Sequence, residues 1–305
     1  MTEHDSRQRA GITVRPVGGL GNQLFIYAAG RAAAERLACP LFVDLGYYSQ
    51  SNPHDTPRTP ELDWLIEPEQ ILPIIQKSGL SVLINRIRNR FHLYDSHQVF
   101  QENDFSYDPR IEEISIGTSL IGYFQSWKYF QSISAELRTS ILKHAPRSDW
   151  FQTEQRLLGG MKPWIALHVR RGDYAEPFNA QFHGLTSRDY YETAIKSIES
   201  KLGSCNVVLF SDEPDVAAEL IGAIHPITRI IKAPDASHPM ESIVLMSQAN
   251  AIITANSSFS WWAAWLANLE PALTFAPDPW FASGGKDERD LCPPQWVRLP
   301  NSLNN

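Results

Sequence analysis

Five short apolar runs in the second half of the chain, at 164–169, 207–210, 229–232, 251–254 and 273–276, alternate with segments of helical apolar spacing. Each run is bounded by turn residues, as expected for a strand covered on both faces of a parallel sheet. Parallel strands cannot be joined by tight hairpins, so each needs a crossover, and the intervening helices supply it. The expected half is doubly wound and of nucleotide-binding type. The first half opens in the same way, with a strand over 12–17, the loop Gly18-Gly19-Leu20-Gly21, a helix marked by Leu24, Tyr27, Ala28, Ala34 and Leu37, and the strand Leu41-Phe42-Val43-Asp44. After a long irregular loop over 47–69, the pattern predicts a helix over 70–90 broken at Gly79, a strand over 118–124 and a helix over 129–143. A change of composition at 144–149 puts a domain boundary near residue 155, giving domains of 1–155 and 156–305 whose last residues pack back on the first. A crevice between two α/β halves is a natural ligand site.

Among the 305 residues, 43% are hydrophobic and 20% charged, which suits a folded chain with a sizeable core. The formal net charge of -7 excludes a general nucleic-acid binder, whose affinity comes from neutralising phosphates over a basic surface. A phosphate site must therefore be local. Three scattered cysteines, Cys39, Cys205 and Cys292, give neither a disulfide framework nor a zinc knuckle. The polar start, without an apolar stretch of signal or membrane-span length, leads to the expectation of a cytoplasmic protein. Arg86, Arg88 and Arg90 would suit peripheral contact with anionic lipid at the inner membrane face, although a solvated helix end accounts for them equally well.

The most informative motif is His168-Val169-Arg170-Arg171-Gly172-Asp173-Tyr174, at the carboxyl end of a predicted strand, where open α/β sheets bind ligands. Arginines there suit a diphosphate, because the guanidinium fork offers paired donors and a fixed charge that stabilises a departing nucleotide. An Arg171–Asp173 pair that merely pins the loop uses the same residues. A second anion site is expected at Asn256, Ser257, Ser258 and Phe259, which open a helix after a strand; N-capping by Asn256 or Ser257 is the structural alternative. Trp261, Trp262 and Trp265 read as a sugar-stacking surface or as a buried helix face. Asp212 either reads a ribose or base edge or caps the helix that starts at Pro214. Gly21 lets the backbone approach a ligand, and Asn22 and Gln23 either hydrogen-bond a sugar or cap a helix. No Asp-x-Asp triplet occurs, so no metal site and no cofactor are expected. Gly-x-Ser-x-Gly, His-Glu-x-x-His and P-loop motifs are also absent.

Together, Gly18 to Phe25, Gly122-Tyr123-Phe124-Gln125-Ser126, His168 to Tyr174, Phe210-Ser211-Asp212-Glu213 and Ala255 to Trp262 resemble the bacterial α-1,2-fucosyltransferases of glycosyltransferase family 11. The resemblance runs in the family's order over nearly the whole chain. It implies a GT-B architecture of two Rossmann-like domains facing each other across a cleft, with inverting transfer of L-fucose from GDP-fucose, without a metal, to the 2-hydroxyl of a galactose-containing glycan such as an O-antigen unit. Arg170 would hold the β-phosphate, His168 would lie near the nucleoside, and Ser257, Ser258 and Phe259 would line the phosphate pocket. Asn22 would lie near the reacting sugar. Many relatives carry an acid at the place of Ser242, where it would contact the guanosine; Glu241 is the expected substitute. Asp173 and Glu176 are candidate bases, with His183 a further site candidate. Another nucleotide sugar as donor, or glycan binding without catalysis, are the alternative functions.

Overall fold

The computed structural model describes residues 10–49, 58–73, 98–172, 184–282 and 287–302. Asp173, Glu176, His183, the three arginines at 86–90 and most of the helix expected over 70–90 lie outside the described residues. At the start of that segment, Pro68–Gln70 is a 3₁₀ turn and Ile71 bridges to Val43, so the backbone there extends a sheet edge.

The chain divides into two compact units, Met1–Leu137 and Arg138–Asn305. In the first, β1 (Ile12–Val14), β2 (Leu41–Val43), β3 (Val99–Gln101) and β4 (Ser119–Ile121) form a four-stranded sheet in the order β2-β1-β4-β3, with every pairing parallel. Helix α1 (Leu20–Arg36) follows β1 directly. Leu24, Phe25 and Ile26 are consecutive and buried, which cannot happen on a one-faced surface helix. The helix is therefore covered on more than one side. The helix expected over 129–143 is two elements, a 3₁₀ segment Trp127–Ile133 and α2 (Ser134–His144).

The second unit carries β5 (Trp164–Val169), β6 (Asn206–Ser211), β7 (Arg229–Ile231), β8 (Ala251–Ile253), β9 (Thr274–Asp278) and β10 (Val297–Pro300). All pairings are parallel and the order is β10-β9-β8-β5-β6-β7. Numbered within this unit, that is the doubly wound order 3-2-1-4-5-6. Its core includes Ile165, Leu167, Val207, Leu209 and Ile253 on the strands and Tyr190, Tyr191 and Ile195 from α4 (Arg188–Leu202). Helices α5 (Pro214–Gly222), α6 (Pro239–Met246) and α7 (Ser258–Ala267) complete the crossovers.

The units separate after Leu137, upstream of the composition change at 144–149 and of the boundary expected near residue 155. The reason lies in what the intervening residues touch. The Arg138 guanidinium sits 4.4 Å from the ring centre of Trp265. In α3 (Asp149–Gly159), Glu154 receives both guanidinium bonds of Arg229 at 2.7 and 2.6 Å. The chain end is likewise committed to the second unit: β10 pairs with β9, and Asn301 accepts the Ser187 N–H at 2.8 Å.

Candidate functional site

In a doubly wound sheet, neighbouring strands with crossovers leaving in opposite directions open a crevice at their carboxyl ends. In the second unit those strands are β5 and β8, and the segments following them are 170–172 and 254–257. The two strongest sequence motifs therefore converge through topology.

After β5, Arg170 lies 3.1 Å from Asp212, the residue that follows β6. Asp212 also accepts the Arg171 N–H at 3.0 Å, and Arg171 Nε lies 3.8 Å from Glu213. A side chain at Gly172 would collide with the Asp212 carboxylate, so glycine permits this approach. Asp212 is thus not the helix cap, a place taken by Glu213, whose own N–H is met by Ser211 Oγ at 3.0 Å.

A pocket of about 300 Å³ lies beside this pair, lined among others by His168, Arg170, Asp212, Asp235, Ser242 and Phe259. The His168 and Phe259 rings lie 5.7 Å apart, centre to centre. His168 is buried, its Nδ1 has no hydrogen-bond partner, and desolvation together with the Arg170 charge lowers its pKa to about 3. A neutral imidazole at physiological pH is a hydrogen-bonding and stacking group, not a proton carrier.

Ser257 is the N-cap of α7, its Oγ accepting the Phe259 N–H at 3.3 Å, and Ser258 is the first helical residue. Helix N-termini present N–H groups without intrahelical partners and the positive end of the dipole, so a capped terminus of this kind can also receive an anion. Asn256 is buried and donates to the carbonyls of Gly184 and Trp280, bracing two loops instead of capping α7. Trp261, Trp262 and Trp265 are buried in the core, which excludes a sugar-stacking surface.

Glu241 does not take the place expected of it. Its carboxylate accepts the Ser148 N–H and, at 2.8 Å, the Ser148 hydroxyl at the start of α3. Burial with both oxygens occupied makes it a brace between α6 and α3; Ser242, one residue on, lines the pocket. Among the described residues, no three His, Cys, Asp or Glu side chains are placed to share a metal ion. No described helix is long and apolar enough to cross a membrane.

In the first unit the corresponding crevice lies between β1 and β4, where Gly21 and Asn22 open α1 and residues 122–126 follow β4. Gln125 Nε2 donates to Asn22 Oδ1 at 2.8 Å, a pairing that sequence separation hides. Glu102 holds the same segment: its Oε2 accepts the Tyr123 and Phe124 N–H groups, both at 2.8 Å. Phe124 has a left-handed φ of 53°, a strained state for a bulky residue. Burial raises the Glu102 pKa to about 7. Gln23 is committed to local structure, donating to the Gly18 and Thr59 carbonyls at 3.0 and 2.9 Å and accepting the Glu61 N–H at 2.8 Å.

The family model Glycosyl transferase family 11 matches residues 65–300. An alpha-1,2-colitosyltransferase of Escherichia coli is 29% identical over 290 residues, covering 94% of this chain and 98% of the relative. The O-antigen biosynthesis glycosyltransferase WbnK of Escherichia coli is 28% identical over 309 residues, covering 92% and 98%. Galactoside alpha-(1,2)-fucosyltransferase 2 of Pongo pygmaeus is 26% identical over 314 residues, covering 98% and 82%. With a family model spanning most of the chain, and its arginine and serine motifs meeting at one sheet edge, the chain belongs to glycosyl transferase family 11 and is fucosyltransferase-like.

Proposed function

We propose that this protein transfers L-fucose from GDP-fucose to the 2-hydroxyl of a galactose-containing glycan, with inversion and without a metal. The observation that carries this reading is the second-unit pocket, where Arg170, the α7 N-terminus and the His168–Phe259 ring pair surround a volume suited to a nucleoside diphosphate. The names of the relatives support the α-1,2 linkage and a place in O-antigen synthesis. The GT-B arrangement, a cytoplasmic location and peripheral contact with the inner membrane face are part of the same proposal.

In the proposed reaction, the acceptor 2-hydroxyl oxygen bonds to the anomeric carbon as the bond from that carbon to the β-phosphate oxygen breaks. The electron pair leaves with GDP, where Arg170 and the N–H groups of α7 stabilise the growing charge. The hydroxyl proton passes to a carboxylate, for which Asp173 is the proposed base and Glu176 the alternative. Asn22, held by Gln125, positions the sugar.

Incubation with GDP-fucose and lactose in excess EDTA, followed by measurement of GDP release and product linkage, tests the proposal. An α-1,2-fucosylated product is expected; a strict requirement for Mn²⁺ or Mg²⁺ would overturn the metal-free step. The colitosyltransferase relative favours one further reading, transfer of a different sugar from the same kind of donor. Competition between donors separates the two.

A further inference from the structure

Resting on the GDP-sugar reading above, we infer that Asp235 is the group that selects guanine, its carboxylate accepting the base's N1–H and 2-amino hydrogens.

The charges along the pocket give it a direction. Arg170 and the N-terminus of α7 lie at the ends of β5 and β8, which makes that side the diphosphate end. The pocket continues past Phe210 and Ser211 at the end of β6 to Ile231 and the segment 233–237 after β7. Two strand spacings, about 10 Å, separate β5 from β7. That is the scale on which a nucleotide's base lies from its phosphates. A carboxylate at the first end would repel the diphosphate, while one at the far end meets the base.

Two aspartates line the pocket, and they differ in what they already hold. Asp212 is occupied by Arg170 and the Arg171 N–H. Asp235 is exposed and carries no hydrogen bond or ion pair among the described residues. Glu241, adjacent to the pocket-lining Ser242, is spent on Ser148. Asp235 is therefore the pocket carboxylate with acceptor capacity in reserve. An ionised carboxylate offers two acceptor oxygens and no donor, which matches two adjacent N–H donors on one edge of guanine. Adenine presents a ring-nitrogen acceptor at that edge and would be repelled. Hypoxanthine keeps N1–H but lacks the 2-amino group, so it isolates half of the interaction.

Isothermal titration of the full chain with GDP, IDP and ADP, for wild type, Asp235→Asn and Asp235→Ala, tests the inference. The wild type is expected to bind GDP about tenfold or more tightly than IDP, and ADP more weakly still, because unmatched polar groups cost specificity. Asp235→Ala should weaken GDP binding about tenfold or more and bring the GDP:IDP ratio close to one, with an unchanged melting temperature. Asp235→Asn, which turns one acceptor into a donor, should weaken GDP at least as much as IDP. Asp235→Ala binding GDP within threefold of wild type, with the GDP:IDP preference intact, would overturn this inference alone. A wild-type protein that binds no GDP overturns the donor reading together with it.

Discussion

Two arginine–aspartate pairs occupy matching places in the two units. Arg15 follows β1 and meets Asp44 after β2 at 2.6 Å; Arg170 follows β5 and meets Asp212 after β6 at 3.1 Å. In each case the arginine ends the strand that begins its unit, and the aspartate ends a parallel neighbour. Their surroundings differ. The Arg15 side chain is 52% exposed, and Asp44 also accepts the Gly46 N–H at 2.8 Å, a turn-forming bond. The Arg170 side chain is 23% exposed and lines a pocket with a helix N-terminus nearby. The pair alone makes a loop clasp; under the proposed function, a pocket and a second source of positive potential turn it toward an anion. Across its crevice the first unit offers amides, Asn22 and Gln125, which suit a neutral sugar better than a phosphate.

The most damaging test of this contrast is Arg170→Ala. It should lower fucosyl transfer by about 10³-fold, at the upper range for loss of one transition-state donor, while circular dichroism and melting show a folded protein. Near-normal turnover in that folded variant would erase the distinction between the two pairs. Asn22→Ala and Gln125→Ala probe the other crevice. Each should reduce kcat/KM for the acceptor by about 10- to 100-fold, roughly 1.4 to 2.8 kcal/mol, and leave GDP affinity unchanged. An equal loss of GDP affinity would mean that the amides serve the donor.

Glu241→Ala separates the brace from the pocket. It strands the Ser148 N–H and hydroxyl and should cost roughly 2 kcal/mol of stability, measured by urea denaturation, with GDP affinity within threefold of wild type. Glu102 gives a pH-dependent test in the first unit. Burial raises its folded pKa to about 7, so the stability of its protonated form is full below the ordinary carboxylate pKa and is lost as pH rises through about 7. Glu102→Gln, which keeps an acceptor and has no proton to lose, should gain in melting temperature relative to wild type between about pH 5 and pH 8. A difference that does not vary with pH would refute the burial of that charge. The smallest effect belongs to Arg15→Ala: less than about 1 kcal/mol, as for other exposed ion pairs, and no change in GDP binding.

How much of this was legible depends on whether a signal was local. The five strands β5 to β9 stood out as short apolar runs; β5, β6, β8 and β9 are largely buried, while the edge strand β7 buries only Ile231 fully. β3 and β10 did not: Val99 is 57% exposed, and β10 has no fully buried residue. The motif at 168–172 and the cap at 257–258 were read at their proper strand and helix ends, since turn and capping chemistry is written in adjacent residues. Pairings across the fold were hidden. Nothing near Asn22 announces Gln125, and nothing near Ser148 announces Glu241. Arg171 lies 3.8 Å from Glu213 on a neighbouring loop, while Asp173, its expected partner, falls outside the described residues. Trp261, Trp262 and Trp265 show the opposite limit, because three closely spaced tryptophans fit either a core face or a sugar platform until burial decides.

Glu241 and Ser242 are neighbours on α6, and a helix turns about 100° between successive residues. One carboxylate is consumed by the fold while the adjoining hydroxyl reaches the pocket. Mutational tolerance at the two positions should accordingly be opposite. If the pocket holds the donor as proposed, position 242 is where a lineage, or a protein engineer, can retune which donor is accepted without unravelling the scaffold, whereas position 241 is closed to that kind of drift. Under the proposed reading, libraries aimed at donors with a different nucleotide base gain most by varying residue 242 and the segment 233–237 together, holding Glu241 and Ser148 fixed.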